Sequence, residues 1–189
     1  MKNSIVRRIP APLELKTCSQ TGEFQGYASV FDVVDKDGDV LMRGAFEKCL
    51  KHQAKIGKMP KLLWQHDVTQ PIGILQEIRE DAYGLFVKGR ILLDIEKGRE
   101  AYALLKNGAL EGLSIGFYPR KSRPALNQEA KRLLEEVSLV EVSLVTFAAN
   151  PLASVTDCKR KKIEGEDPLV AVALRRLVQF LQNFLIKGI

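Results

Sequence analysis

Apolar residues recur along this chain with two periods, and the switches between them mark its elements. Residues 24–34 are aromatic and β-branched, which predicts a strand, and the Asp35-Lys-Asp-Gly-Asp39 run after it predicts a tight turn. From Gly44 to Lys55 the period lengthens. Ala45, Phe46, Cys49 and Leu50 share one side of a predicted surface helix, with Lys48, Lys51, His52 and Lys55 toward solvent. Three β-like runs follow, Lys61 to Asp67, Gly73 to Arg79 and Gly84 to Leu93, punctuated by Pro71, Gly73 and Gly84. Asp94 is the expected N-cap of a helix over 95–107, with Ile95, Ala101, Leu104 and Leu105 on its apolar face and Asn107-Gly108 at its end. Leu113-Ser-Ile-Gly-Phe117 alternates strictly, Ser114 and Gly116 lying on the face opposite Leu113, Ile115 and Phe117. Val137 to Phe147 is a further long strand, and Glu129 to Glu136 just before it is open to a helical reading.

Past Asn150-Pro151 the pattern changes. The division expected is a β-rich domain over 1–157, a charged linker over 158–166 and an amphipathic C-terminal helix over 167–189. A lone apolar stripe beyond a linker wants a partner surface, which makes self-association an expectation.

Length and composition narrow the picture. At 189 residues, 46% hydrophobic and 28% charged, the chain can bury one core and is neither fibrous nor wholly disordered. Its formal charge of +6 is concentrated in Lys159-Arg-Lys-Lys162 and at Arg175 and Arg176, which disfavours a specific nucleic-acid face. Three widely spaced cysteines, Cys18, Cys49 and Cys158, make neither a disulfide framework nor a metal cluster and suit a reducing compartment. The first ten residues hold no signal-peptide core, and Arg175, Arg176, Gln179, Gln182 and Asn183 break up the most apolar tail segment, so neither secretion nor a membrane span is expected. The Asp35 to Asp39 turn fails as an EF-hand, since Gly38 stands fourth and Phe46 twelfth where Gly is needed sixth and Glu twelfth. No metal or cofactor is expected.

Only two histidines could act as bases. His52 belongs to the solvated side of a helix, whereas His66 closes the Leu62 to His66 run, in phase with Leu62 and Trp64. Gly112-Leu-Ser-Ile-Gly116 matches the nucleophile-elbow pattern formally, but no histidine follows it and Phe-Tyr-Pro119 is not a helix, so the α/β-hydrolase reading fails. What remains is a strand serine with glycines two residues away on its own face, which would leave room for a substrate backbone. In Leu139-Val-Glu-Val-Ser-Leu-Val145, alternation puts Glu141 and Ser143 on one face with Leu139 and Val145, leaving Val140, Val142 and Leu144 for the core. A carboxylate in so apolar a strand needs a partner, and a histidine needing orientation would be one. His66, Ser114 and Glu141 could therefore supply base, nucleophile and orienting acid from three strands.

The order His, Ser, acid matches neither trypsin-like nor subtilisin-like enzymes. Tyr27-Ala-Ser-Val-Phe31, Asp37-Gly-Asp-Val40, Gly44-Ala-Phe46, Trp64-Gln-His-Asp67, Gly112-Leu-Ser-Ile-Gly-Phe117 and the Glu141 to Pro151 segment together resemble the prohead maturation proteases of tailed bacteriophages, a serine protease family related to herpesvirus assemblin. The resemblance spans about residues 24–155 and implies an α+β, mostly β fold: a closed, mostly antiparallel barrel flanked by helices. It implies that Ser114 is the nucleophile and His66 the general base. The third member is Glu141, where the herpesvirus enzymes use a second histidine, with Asp67 as a rival that the opposite pointing of adjacent strand residues disfavours. A backbone N–H of Ala149 or Asn150 would serve the oxyanion, against the alternative of a plain Asn-Pro turn. The implied task is cleavage of the scaffold or delta region of the major capsid protein, and of the protease itself, inside a procapsid in the host cytoplasm. The competing reading is a non-catalytic capsid or scaffold-associated β-domain.

Overall fold

A computed structural model describes residues 21–125 and 130–157. The expected linker and C-terminal helix, together with Cys18 and Cys158, lie outside the described residues. The described elements run β1 (Glu23–Val30), β2 (Asp39–Leu41), α1 (Glu47–Lys55), β3 (Lys61–Trp64), β4 (Asp67–Glu80), β5 (Gly84–Ile91), α2 (Glu96–Lys106), β6 (Gly112–Pro124), β7 (Arg132–Val145) and β8 (Ser154–Asp157).

Hydrogen-bonded neighbours follow the order β2, β7, β3, β4, β5, β1, β8, β6, and β6 pairs back onto β7. Seven strands thus close into a barrel, and β2 lies outside the ring against the first residues of β7. The pairings are antiparallel except those of β2 and β3 with β7, which are parallel. That exception matters for the site, because a parallel β3 delivers the turn after Trp64 alongside the end of β7. The fold is the mostly β barrel with flanking helices that the resemblance implied.

One apolar cluster joins barrel and helices. Phe24, Leu62, Ile72, Leu85, Val87, Leu113, Val142 and Leu144 pack with Ala45 and Phe46, which lead into α1, and with Ala101 and Leu105 of α2. Full burial of a side chain of this size stabilises by about 1.5–3 kcal/mol. The turn after β1 forms as its sequence dictates. The Asp35 carboxylate accepts the backbone N–H groups of Asp37 at 2.9 Å and Asp39 at 2.8 Å, and Gly38 takes a φ of 85°.

Three expectations need correction. The N-cap of α2 is Ile95, in extended conformation and without a side-chain cap, rather than Asp94. Residues 132–136 are strand, not helix, because both flanks offer a ladder: Arg132 pairs with Asp39 of β2 and Leu133 with Arg123 of β6. The face assignment at the middle of β7 fails at a bulge. The register steps from Gly116 opposite Glu141 to Phe117 opposite Leu139, leaving Val140 as the extra residue. Val140 is consequently 46% exposed and Leu139 turns into the core, the reverse of strict alternation.

Candidate active site

Two neighbouring strands supply one polar face. On β7, Val142 and Leu144 are fully buried in the core, so Glu141 and Ser143 point the other way. Across the ladder Ser114 of β6 stands opposite Ser143, and Gly116 opposite Glu141. Directly opposed residues share a face, so Ser114, Ser143 and Glu141 lie on the same side of the sheet.

The imidazole arrives from the other flank of β7. β3 runs parallel to it, with Leu63 beside Ser143 and Trp64 beside Leu144, and then reverses through Gln65 and His66 into β4, Trp64 pairing with Asp67. His66 thus occupies a hairpin turn, not the strand end expected from its phase with Leu62. Both turn residues take left-handed backbone, with φ of 51° for Gln65 and 63° for His66. Non-glycine residues pay for that conformation with about 1–3 kcal/mol each, so the surroundings must enforce it. They do so through Gln65. Its N–H donates to Leu144 O at 3.0 Å, its Nε2 donates to Thr146 Oγ1 at 2.8 Å, and its Oε1 accepts the Thr146 N–H at 3.2 Å.

The turn sets His66 Nδ1 at 2.6 Å from Glu141 Oε1. An ionised carboxylate only accepts, so Nδ1 carries the proton and Nε2 is left with a bare lone pair. Ser143, fully buried, ties the two together: its hydroxyl donates to Glu141 Oε2 at 2.7 Å and accepts the His66 backbone N–H at 3.1 Å. The glutamate is nearly buried while the His66 side chain is 44% exposed, so the carboxylate is shielded and the ring remains reachable. The hydrogen bond to Glu141 raises the His66 pKa above the ordinary imidazole value; partial burial pulls the other way and the carboxylate charge adds to the rise.

Asp67 makes no such contact. Its carboxylate accepts the N–H and hydroxyl of Thr69, at 2.9 and 2.7 Å, and those bonds hold its pKa below the usual value. His52 is exposed on α1.

Ser114, 6% exposed, sits one strand away from this cluster, and no hydrogen bond joins its hydroxyl to the His66 ring. It borders a cleft that it shares with Ala149 and Asn150. Among the described residues the N–H groups of Ala149 and Asn150 donate to no protein acceptor, although their surroundings are fixed. Ala149 O accepts the Lys36 N–H at 3.1 Å, and the Asn150 side chain donates to Val30 O at 2.8 Å and accepts the Leu152 N–H at 3.1 Å.

The flanking glycines serve a purpose other than the one expected. A Cβ on Gly116 would collide with the Glu141 carboxylate, and one on Gly112 would meet Val145 O at 2.6 Å. The space they leave is filled by β7, not kept for a substrate. Ser143 had no role assigned from sequence, although its period-two spacing from Glu141 was the signal that placed it on the same face. Among the described residues no three His, Cys, Asp or Glu side chains gather as a metal site would require.

A closed barrel with a strand serine one strand away from a carboxylate-held imidazole has the parts of a serine peptidase. The chain belongs to the caudovirus prohead serine protease family, whose model matches residues 11–167. It is similar to the prohead proteases of Enterobacteria phage HK97, at 32% identity over 73% of this chain, and of Escherichia phage T5, at 28% over 68%. The matched part spans 60% and 59% of those two relatives. A capsid polyprotein of Pseudomonas phage PAJU2 is 32% identical over 54% of this chain and 16% of its own length. Among solved structures, the bacteriophage T4 capsid assembly protease gp21 superposes with a TM-score of 0.51 at 14% identity, covering 65% of this chain and 81% of that one, a likeness of fold.

Proposed function

We propose that this chain is a serine endopeptidase of capsid maturation, with Ser114 as nucleophile, His66 as general base and Glu141 as the acid that orients it. The observation carrying this reading is the 2.6 Å bond from His66 Nδ1 to Glu141, which leaves Nε2 basic beside β7, the strand with which Ser114 pairs. In the reaction the Ser114 hydroxyl gives its proton to Nε2 as its oxygen attacks the scissile carbonyl carbon. Glu141 stabilises the imidazolium so formed without taking its proton. The N–H groups of Ala149 and Asn150 donate to the oxyanion, each worth about 3–4 kcal/mol of transition-state stabilisation. The imidazolium then protonates the departing amine, and water, deprotonated by the same Nε2, hydrolyses the acyl-enzyme. Contact between Ser114 and the ring would be made on binding substrate, since such contacts are commonly loose in free enzymes.

The substrate proposed is the major capsid protein, cut at its scaffold or delta region inside the procapsid. The relatives named for proheads and for a capsid polyprotein support that choice. Self-cleavage, with loss of the tail beyond the 158–166 linker, and self-association through residues 167–189 belong to the same proposal. Ser114→Ala should lower cleavage of the capsid protein by at least about 1,000-fold. Because Ser114 does not touch the resting imidazole, a non-catalytic capsid-associated domain is the second reading, and retained cleavage by that variant would remove the serine from the mechanism.

A further inference from the structure

The cleft beside Ser114 holds more than the oxyanion loop. Besides Ser114 and Ile115 of β6, its walls include Ser29 of β1 together with Asp35 and Asp37 of the turn before β2. Ser29 is 1% exposed, and its hydroxyl has no hydrogen-bond partner. A buried hydroxyl without a partner is costly, and one lining a cleft is a group awaiting a ligand.

The charges around it are unbalanced. Asp39, the third acid on the wall, is neutralised by a two-point bond from Arg132 at 2.6 and 2.8 Å. Asp35 uses one carboxylate oxygen on the backbone of its own turn, and the Arg132 guanidinium that binds Asp39 is also the positive charge acting on Asp35 and Asp37, one cation among three acids. Of the other nearby cations, Lys36 lies over the Phe147 ring at 5.6 Å and Lys131 lays its stem across Gly38. Burial raises the Asp35 carboxyl above its ordinary range against the opposing pull of the Asp39 and Asp37 backbone N–H bonds, and the charges of those two acids add to the rise.

We infer that this cleft receives the substrate side chain on the acyl side of the scissile bond, and that it selects a cationic one, lysine or arginine, through Asp35 and Asp37 with Ser29 at its buried wall. The inference rests on the peptidase reading for its position: Ser114 and the Ala149 and Asn150 N–H groups border the same cleft, so the residue whose carbonyl is attacked has its side chain there. It extends that reading by naming the side chain. The Ser29 hydroxyl, the Asp37 carboxylate and the second oxygen of Asp35 offer acceptors to an ammonium or guanidinium and repel an acidic residue.

The experiment uses the full chain and peptides that differ only at the residue before the scissile bond: lysine, arginine, norleucine and glutamate. The wild type should prefer lysine and arginine. Asp35→Asn combined with Asp37→Asn, which retains the acceptor oxygen of the turn, should lower kcat/KM for the cationic peptides by at least about tenfold while leaving norleucine within about twofold. Ser29→Ala should raise KM for the same peptides without lowering Tm, because it breaks no internal bond. Benzamidine binding to the Ser114→Ala variant, followed by NMR, tests the pocket without any turnover: binding that the double Asn variant loses supports the inference. Cleavage that is indifferent to the side chain or favours glutamate, or benzamidine binding unaffected by the double variant, would overturn it. Failure of the wild type to cleave any peptide while benzamidine binds as expected would count against the peptidase reading alone.

Discussion

Glu141 is held by two side chains and a strand register, and that is what gives its removal a readable signature. In the proposed role of base His66 would act only when neutral, and its pKa is raised chiefly by its hydrogen bond to Glu141. Activity should therefore rise with pH through a midpoint above the ordinary imidazole value of about 6.5. Glu141→Gln should move that midpoint down and cost about a hundredfold or more in kcat, because the amide no longer fixes the tautomer or stabilises the imidazolium. A pH–rate profile checks both, and an unchanged midpoint would separate Glu141 from the base. Gly116 extends the argument across the ladder. Its missing Cβ is the space that the Glu141 side chain fills, and that side chain cannot retreat without breaking its bonds to His66 and Ser143. Gly116→Ala should depress kcat by at least about tenfold, a larger loss than its effect on Tm implies; paired kinetics and thermal melts decide it. At this scale the sequence was informative: alternation put Ser114 and Glu141 on polar faces, and position separated His66, after a strand, from His52 on the solvated side of a helix. Ser143 was legible as a position but not as a link, because its role depends on a turn that comes from another strand.

Among the elements, the β3 to β4 turn carries the greatest demand. Neither Gln65 nor His66 announces left-handed backbone, so their sequence reads as a continuing strand. The conformation is imposed by Thr146 and Leu144 of the neighbouring segment, a long-range pairing that no local pattern displays. Gln65→Ala removes two of those three anchors and should lower kcat several-fold with the pH midpoint shifted toward the free imidazole, as the ring loosens on Glu141. Steady-state kinetics across pH would show it, and unaltered kinetics would mean that β7 holds the turn without Gln65. The Val140 bulge is invisible for a similar reason. Strict alternation holds through residues 141–145, and only the mismatch with β6 reveals where the phase changes. Residues 132–136 resisted reading because their charged composition suits a helix when isolated, and pairing with β2 and β6 overrides it.

For the whole molecule, barrel closure is what brings the parts together. β6 and β7 are near in sequence, but His66 reaches Glu141 only because β3 pairs in parallel with β7 from the opposite side. The overall class and the closed barrel were legible from the strand runs and the resemblance; the parallel pairings of β2 and β3 with β7 were not, since strand order is a property of the assembled sheet. The role proposed for the barrel is to activate one serine, Ser114. The most direct measurement is fluorophosphonate labelling of the full chain, with the adduct located by mass spectrometry. A single adduct on Ser114, lost in His66→Ala and retained in His52→Ala, is the result predicted. Labelling elsewhere, or labelling of Ser114 that survives without His66, would contradict it.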